Sequence, residues 1–383
     1  QSEDQFSYPS PYHDSRNGPP NFLFRNRLEP GGGGRFEDVT EAVGLDENND
    51  RYSFAPAWCD YDFDGRPELY VANDFGRNNL YKFDGSRFRD IAAEVGVEDL
   101  GPGMSAAWFD AFGSGRPDLY VTNMWSAAGR RVLADPAFAP VAAYGLSEEY
   151  RRHAKGNTLY RNRGDGRFDE TGEAEMGRWS WTGDAFDFDL DGRPEILIAA
   201  GMITEPSDEP AGGMDLMSFF WRQVVAQTSL GAAASAGYRD GWNALNQFVR
   251  EGTSWNGGEP NVFYRFEGGH AVDFSGVSGL DMALDSRAFA ATDLDGDGRL
   301  DIVLKNRLAP QIQAFVNRSA GDRHVVVVEL QGVESNRDAV GAWVVAEHDG
   351  GRSSAGLSAG SGYLCQHTKR LHLGLGASTR VRT

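Results

Sequence analysis

A short acidic segment occurs four times in the chain, and it limits the possible folds more than any other feature. Three copies match the pattern Asp-x-Asp-x-Asp-Gly-x-x-Asp/Glu in full. Their carboxylates at positions 1, 3, 5 and 9 are Asp60, Asp62, Asp64, Glu68, Asp187, Asp189, Asp191, Glu195, Asp293, Asp295, Asp297 and Asp301. The glycine at position 6 permits a tight turn, because glycine adopts positive φ at little cost. The carboxylates can then converge, so the pattern predicts three cation sites.

Calcium is the cation that suits these loops best. An all-oxygen, anionic cage fits Ca²⁺, which takes about 6–8 oxygen ligands, whereas Mg²⁺ prefers to keep its waters. The sequence offers no cluster of Cys or His for a softer metal. The second copy keeps Asp110 and Asp118 but has Phe112 and Ser114 in place of two carboxylates. We therefore expect about three structural Ca²⁺ ions and a weak or empty site in the second copy.

The residues that flank the loops distinguish them from EF-hands, which lie between helices and need Glu at position 12. A β-rich run follows every copy: Leu69-Tyr-Val-Ala, Leu119-Tyr-Val-Thr, Ile196-Leu-Ile-Ala and Ile302-Val-Leu. An apolar strand also precedes each copy. The sequence therefore predicts a calcium loop inside a β-hairpin. The alternative, an ordinary solvated acidic turn, would explain one copy but not three complete ones.

Each hairpin belongs to a longer repeat. A third strand follows at residues 79–82, 157–161 and 261–265, and a fourth follows at 87–90, 167–170 and 270–273. Four short strands per repeat are typical of a β-propeller blade. The predicted fold is therefore all-β, with four clear blades and a half-blade formed by residues 21–25 and 35–39. We expect about five blades, with C-terminal strands completing the half-blade and leaving no open edge.

The repeats resemble the FG-GAP/VCBS repeats of integrin-α-like propellers, although the literal FG-GAP string is absent. The C-terminal region resembles an ASPIC/UnbV domain, through residues 336–342, 359–366 and 371–376. Together they are similar to the cartilage-acidic-protein-like family, over roughly residues 21–383 without two insertions. The family pattern continues beyond Thr383, so we expect a truncated product. The resemblance implies export, calcium and binding more than any reaction.

The resemblance and the repeat spacing suggest three regions. Residues 1–20 are expected to form an extended arm, residues 21–322 the propeller, and residues 323–383 the ASPIC/UnbV-like β domain. Insertions at 124–156 and 202–259 interrupt the second and third repeats between strands two and three.

Both insertions are expected to be partly helical. The predicted helices cover residues 147–155, 214–228 and 238–251, and Asp215 and Asp240 are the predicted N-caps of the last two.

Strands that alternate in direction place these insertions on the face opposite the calcium loops. Six tryptophans and one histidine should gather on this face, and they are the ligand-binding candidates: Trp125, His153, Trp179, Trp181, Trp221, Trp242 and Trp255. Two alternatives remain open for the tryptophans. They could line a pocket or docking surface, since function often lies in loops. They could instead form the small core that helical insertions need.

Charge and composition limit the possible partners. The net charge of −19 argues against nucleic acid and anionic membranes, which attract basic proteins. No apolar run approaches the ~18 residues of a membrane span. A chain that begins at Gln1 rather than Met is expected to be processed, and calcium sites of modest affinity favour an extracellular or periplasmic location. Cys59 and Cys365 are expected to be separate buried thiols.

The sequence therefore predicts a secreted calcium-binding β-propeller that binds an unknown protein or small-molecule ligand. Calcium would be structural on one face, and recognition would occur on the other. One alternative is an enzyme of secondary-metabolite biosynthesis, because UnbV-type domains are associated with such pathways. Its candidate residues are His153, Glu148, Glu149, Asp46 and Glu98, although no catalytic motif is present. Another alternative is a subunit of a cell-surface assembly.

Overall fold

A computed structural model describes residues 8–28, 33–138, 145–204, 216–229, 231, 233–255 and 258–382. In these residues the chain consists mainly of short strands in antiparallel sheets. The first sheet is a two-stranded ribbon of β1 (Phe24–Asn26) and β2 (Phe36–Asp38). Three four-stranded sheets and one three-stranded sheet follow, and we call these four sheets blades 1 to 4. Thr383, where truncation was expected, lies outside the described residues.

Each blade follows the chain from one sheet edge to the other. Blade 1 contains β3 (Ser53–Cys59), β4 (Glu68–Asn73), β5 (Asn79–Phe83) and β6 (Phe88–Asp90). Blade 2 contains β7 (Gly103–Phe109), β8 (Asp118–Asn123), β9 (Thr158–Asn162) and β10 (Phe168–Glu170). Blade 3 contains β11 (Ser180–Phe186), β12 (Glu195–Ala200), β13 (Val262–Glu267) and β14 (His270–Asp273). Blade 4 contains β15 (Ser286–Thr292), β16 (Asp301–Asn306) and β17 (Ile312–Phe315).

The blades are arranged as in a propeller. Strand β3 contacts β7, β7 contacts β11, and β11 contacts β15, so the first strand of every blade lies towards a common axis. Every acidic loop has the same register, because the residue that precedes it pairs with its ninth residue: Cys59 with Glu68, Phe109 with Asp118, Phe186 with Glu195 and Thr292 with Asp301. The predicted all-β, propeller-like fold is confirmed.

The C-terminal strands form a domain of their own. They are β18 (His324–Val328), β19 (Trp343–His348), β20 (Gly351–Gly356), β21 (Leu371–Gly376) and β22 (Val381–Arg382). Strand β18 pairs with β21, and β19 pairs with β20 and β22, around a core that includes Ala346 and Leu373. The expectation that C-terminal strands complete the half-blade is therefore wrong. These strands pair with one another and not with β1 or β2, and among the described residues the ribbon has two strands.

Helices occupy the connections between strands. They are α1 (Ala92–Val95), α2 (Ala127–Leu133), α3 (Ser147–Lys155), α4 (Leu216–Phe219), α5 (Ala236–Arg250) and α6 (Ser275–Ser278), with a 3₁₀ turn at Tyr12–Asp14. Helix α4 continues as a π-helical turn, Phe220–Val224, and a 3₁₀ turn, Val225–Gln227. The N-cap of α5 is Ser235, whose Oγ accepts from the N–H of Tyr238 at 3.1 Å. Asp240 lies inside the helix, so its predicted capping role is wrong, and Asp215 lies outside the described residues.

The helices of the two insertions pack with the N-terminal arm into one cap, formed by α2 to α5 and residues 8–17. Its core contains the fully buried side chains of Tyr12, Trp221 and Tyr238. The insertions connect the second and third strands of blades 2 and 3, whereas the acidic loops connect the first and second. The cap face and the acid-loop face therefore lie at opposite ends of the strands.

Candidate functional site

The first carboxylate of each acidic loop holds the turn of its own loop. Oδ1 of Asp60 accepts a hydrogen bond from the N–H of Asp64 at 3.0 Å, and Oδ2 accepts one from Gly65 at 2.9 Å. Gly65 has a φ of 86°, which a residue with a Cβ adopts only with strain. Asp187 makes the same two bonds in the third loop, at 2.9 and 2.8 Å. The repeat of aspartate and glycine therefore fixes the loop before any ion binds.

The carboxylate at position 9 is buried beneath the loop. Oxygens of Glu68 and Glu195 accept hydrogen bonds from the backbone N–H groups of Tyr61 and Phe188, at 3.4 and 2.9 Å. Burial raises the pKa of Glu68 to about 7 and raises the pKa of Glu195 well above its ordinary value, with the neighbouring aspartates adding to the shift in Glu195. A bound cation would stabilise the ionised form of both groups.

Three sets of carboxylates lie close enough to bind one cation each. Within each set the oxygens lie within 4.8 Å of one another, and the sets are Asp60, Asp62 and Glu68; Asp187, Asp189 and Glu195; and Asp293, Asp295 and Asp297. These sets do not include Asp64, Asp191 or Asp301, the other predicted ligands. Purely carboxylate donors that are held together against their mutual repulsion fit a hard cation such as Ca²⁺.

Basic side chains reach into all three of these sets. In the fourth loop, Arg299 lies 2.9 Å from Asp297 and Arg318 lies 3.4 Å from Asp295. Nζ of Lys82 lies 2.7, 2.9 and 2.9 Å from carboxylate oxygens of Asp62, Asp64 and Glu68. Arg265, at the matching position of blade 3, lies 3.3 Å from Asp189. The sequence contained a signal for these residues, because the third strand of blades 1 to 3 carries Lys or Arg directly after a Tyr that is repeated in each blade. No role of Lys82 or Arg265 was predicted from the sequence.

The second loop contacts the C-terminal domain. Oγ of Ser354 donates to Asp110 at 2.8 Å, and Nε1 of Trp343 donates to the carbonyl of Gly115 at 3.0 Å. Phe112 occupies position 3 of the second loop, where the other loops have an aspartate. The guanidinium of Arg161 lies 4.9 Å from the centre of the Phe112 ring. Asp118 is buried, and burial raises its pKa to about 7. Whether Asp110 and Asp118 bind an ion weakly stays a prediction.

The C-terminal domain covers the third and fourth loops as well. The N–H of Gly376 donates to the carbonyl of Leu190 at 2.9 Å, and His372 Nδ1 lies 3.0 Å from the carbonyl of Gly298. A Cβ at Gly374 would lie 2.0 Å from Oδ2 of Asp187, so glycine is required for this approach. The docking of this domain on the acid-loop face was not foreseen, because sequence spacing carries no information on how two domains pack.

A segment of the C-terminal domain, residues 361–368, occupies the propeller axis, and we call it the axial plug. The N–H of Tyr363 donates to Oγ1 of Thr182 at 3.0 Å, and the N–H of Thr368 donates to the carbonyl of Ala291 at 3.0 Å. Nδ1 of His367 accepts from the N–H of Ala291 at 3.0 Å, which leaves its Nε2–H facing Asp184 at 3.2 Å. The plug therefore joins blade 3 to blade 4.

The cap end of the axis is closed by residues at β-bulges. Every inner strand shifts register at the same place, and the extra residues are Phe54, Met104, Trp181 and Arg287. The Arg287 guanidinium lies 4.5 Å from the centre of the Trp181 ring. The ring of Tyr363 from the plug lies 5.0 Å from Trp181 and 5.2 Å from Phe54. A bulge has no simple sequence signal, so this cluster was not predicted.

The predicted ligand-binding residues do not form one group. Trp221 and Trp255 are buried in the cap core, Trp179 and Trp242 pack against that core, and Trp181 lies on the axis. Trp125 pairs with Lys155 at an isolated bridge. The packing of the first four supports the core alternative, and a role of the seven residues in ligand binding stays a prediction.

Four of the five residues considered for an enzyme are buried or form ion pairs, namely His153, Glu98, Glu148 and Asp46. His153 is fully buried, its Nε2 lies 3.0 Å from the carbonyl of His13, and burial lowers its pKa to about 4. Glu98 binds Arg77 at 2.6 Å, and Glu148 binds Arg151 at 3.2 Å. His153 is fully buried, so a substrate in solvent does not contact its imidazole.

A cavity of about 410 Å³ lies at the acid-loop end of the axis, between the inner strands and the C-terminal domain. Its walls include Trp58, Trp108, Asp184, Trp343 and His367. Cys59 also contributes to its wall, and neither Cys59 nor Cys365 forms a disulfide. The pocket was predicted at the opposite end, because the position of the C-terminal domain cannot be predicted from the spacing of residues in the sequence.

Among the described residues, no helix is both long and apolar enough to cross a membrane.

Two family models match parts of the chain. One, described as an FG-GAP-like repeat, matches residues 60–121 and 145–198. The other, described as ASPIC and UnbV, matches residues 332–383. No curated protein gave a significant match. The matched ranges include the first three acidic loops, the plug and the strands that cover the loops.

Two solved structures that match this chain show distant similarity. The V. cholerae biofilm matrix protein Bap1 is 13% identical with a TM-score of 0.29, over 81% of this chain and 38% of Bap1. This chain thus spans well under half the length of Bap1. An Agrocybe aegerita lectin, described as recognising non-reducing terminal N-acetylglucosamine, is 13% identical with a TM-score of 0.28, over 78% of this chain and 75% of the lectin.

Proposed function

Because this chain contains FG-GAP-like repeats followed by an ASPIC/UnbV domain, we propose that it is a calcium-stabilised β-propeller that acts as a binding module. Such repeats are typical of protein-binding or adhesion-type propellers. We take residues 21–322 as the propeller and 323–383 as the ASPIC/UnbV domain. Export to an extracellular or periplasmic location belongs to the proposal, since free calcium outside the cytosol can load sites of modest affinity.

One observation carries the calcium assignment: three sets of carboxylates converge at the same turn of three blades. Two of the sets contain a buried glutamate whose pKa is raised by burial. Ions at these sites would hold the acid-loop face together and, at the third loop, would lie against the C-terminal domain that Gly374 brings next to Asp187. Calcium would thus act on structure, and recognition would occur elsewhere, which we place on the cap face.

Removal of calcium tests this proposal. We expect EDTA to lower the melting temperature by many degrees and added Ca²⁺, but not equimolar Mg²⁺, to restore it. In calorimetric titration Asp187→Asn should remove one calcium site from the stoichiometry. Asp110→Asn is the matched control, because Asp110 holds its loop in the same way but lies in the second copy. The proposal would be contradicted if neither EDTA nor added Ca²⁺ changed the melting temperature.

A further inference from the structure

We infer that the third acidic loop is shared between the propeller and the C-terminal domain, and that Arg323 competes with calcium for the carboxylate of Asp189. Calcium would therefore regulate how firmly the C-terminal domain is held on the propeller. The inference rests on the proposed function, since it requires calcium in the third loop. Its test uses variants of Arg323, so the inference can fail while the calcium sites themselves are confirmed.

Arg323 is the last residue before β18, at the end of the linker from blade 4, and its side chain extends to the third loop. Its Nη1 donates a hydrogen bond to the carbonyl oxygen of Asp189 at 2.7 Å, and the guanidinium also pairs with the Asp189 carboxylate. The Arg323 side chain is 29% exposed and that of Asp189 is 18% exposed. Salt screens such partly buried pairs less than fully exposed ones.

Asp189 belongs to the carboxylate set that fits a cation. One of its oxygens lies within 4.8 Å of oxygens of Asp187 and Glu195. The hydrogen bond to Asp189, together with the charges of Asp191 and Asp187, raises the pKa of Arg323 above its ordinary value. The guanidinium therefore interacts with several carboxylates of the loop. Because like charges repel, a divalent cation bound to the same carboxylates and the guanidinium weaken each other's binding.

Two further contacts join the C-terminal domain to the same loop. The N–H of Gly376 donates to the carbonyl of Leu190, and the backbone of Gly374 lies against the Asp187 carboxylate. Both contacts use uncharged backbone groups of the C-terminal domain, so they do not neutralise the loop. Among the described residues, Arg323 supplies the positive charge in this interface. It is therefore the contact that calcium should weaken.

The first loop has no such link to the C-terminal domain. Its internal cation is Lys82, which belongs to blade 1 itself. In the structure as described, no hydrogen bond or ion pair joins residues 60–68 to the C-terminal domain. The third loop has Arg265 at the position of Lys82, and Arg323 adds a second cation from another domain. The third site, unlike the first, thus couples calcium to domain docking.

The second loop shows a related contact without a complete carboxylate set. Nη1 of Arg352 donates to the carbonyl of Ser114 at 2.8 Å, and Nη2 pairs with Glu347 of its own domain at 3.1 Å. The C-terminal domain therefore places an arginine on each of two neighbouring loops. Of the two, Arg323 is the one that pairs with a carboxylate of a cation set.

Thermodynamic linkage gives the direction and the symmetry of the effect. If Arg323 weakens calcium binding by some factor, calcium weakens the Arg323 contact by the same factor. The domain that Arg323 holds also carries the axial plug, in which the N–H of Tyr363 donates to Oγ1 of Thr182. Calcium binding would therefore also decrease the stability with which the plug closes the axis.

Calcium titration of the full chain tests the competition. Arg323→Met should bind calcium at the third site about tenfold more tightly than the wild-type protein, and Asp187→Asn identifies this site by removing it. Arg323→Lys, which keeps a cation, should stay closer to the wild-type affinity.

Arg382→Met is the matched control for this titration, since it removes the same charge from β22, where Arg382 pairs with Asp349 at 2.8 Å. Its calcium affinity should equal that of the wild-type protein. The inference would be overturned if Arg323→Met, shown to be folded by circular dichroism, kept the wild-type affinity, or if Arg382→Met bound calcium equally tightly.

Amide hydrogen exchange of the unmodified chain provides a second readout. Residues 319–323 and Gly376 should exchange faster with calcium than with EDTA, relative to the amides of β20, because their contact with the third loop is weaker. Strand β20 is the internal reference, since it pairs with β19 inside the C-terminal domain. Slower or unchanged exchange in residues 319–323 would overturn the inference. If calcium does not bind at all, the proposed function fails with it.

Discussion

The acid-loop face and the cap face connect the same strands at opposite ends, but different forces hold them together. On the acid-loop face, turns of eight residues bring carboxylates within 4.8 Å of one another, and cations or basic side chains are needed to offset the repulsion. On the cap face, long insertions bury aromatic rings around Trp221, and burial of apolar surface is enough. The first face should therefore respond to ions, and the second should respond to loss of packing.

The largest expected effect is loss of the cap core. Trp221→Ala removes a fully buried ring that contacts Phe220 and Tyr12, and should lower the free energy of unfolding by about 3–5 kcal/mol. The loss should be the same with calcium and with EDTA, as measured by urea denaturation. Trp58→Ala is the control, because Trp58 is partly exposed and lies outside the cap. If Trp221→Ala and Trp58→Ala lowered the free energy of unfolding equally, the cap face would not depend on packing more than the acid-loop face does.

A pH effect of intermediate size should come from the cap face. Burial lowers the pKa of His153 to about 4, with His13 and the carboxylates of Asp14 and Asp99 as the charged groups nearby. The unfolded chain binds a proton near pH 6.5, while the folded chain does not. The contribution of His153 is therefore fully present above pH 6.5 and is lost as the pH falls towards 4. Between pH 7 and pH 5 the loss should be about 2 kcal/mol.

This pH dependence can be assigned to His153 by comparison of variants in calcium-containing buffer. His153→Gln should reduce the decrease in unfolding free energy between pH 7 and pH 5 by most of that amount. His270→Gln, at an exposed residue of β14, should leave the decrease unchanged. If both variants behave like the wild-type protein, the buried imidazole is not the cause.

The smallest expected effect lies within the acid-loop face. Lys82→Met removes the ammonium group that lies among the carboxylates of the first loop, so calcium no longer competes with an internal cation. Calcium should bind this loop about tenfold more tightly, equivalent to about 1.4 kcal/mol. The metal-free protein should become less stable, because the carboxylates lose their counter-ion.

The matched control for this experiment is Arg161→Met, at the same strand position of blade 2. Arg161 stacks on Phe112 in a loop with fewer carboxylates, so calcium affinity measured by titration should not change. If both variants bind calcium more tightly, the net charge of the protein sets the calcium affinity, and the position of Lys82 among the carboxylates does not.

Repetition explains how much of the fold could be predicted from the sequence. Four copies of one motif set the strand register and the acid loops, and Asp60 holds its turn through hydrogen bonds to Asp64 and Gly65, within six residues. Helix α3 was predicted at its exact bounds, because it depends on local periodicity. The role of Lys82 was missed because it depends on which side chains of neighbouring strands face one loop. The completion of the ribbon was wrong because strand pairing between distant segments leaves no local pattern.

The sequence by itself determined the acidic turns, the strands on either side of them and the places where insertions interrupt the blades. These features depend on residues close together in the chain, where spacing fixes geometry. Only the tertiary structure decided that the C-terminal domain docks on the acid loops, that residues 361–368 occupy the axis, and that Trp58 is left uncovered while Trp108 is enclosed. Those outcomes depend on contacts between residues far apart in sequence. One apolar surface resembles another chemically, so the shape of the packed surfaces decides which of them meet.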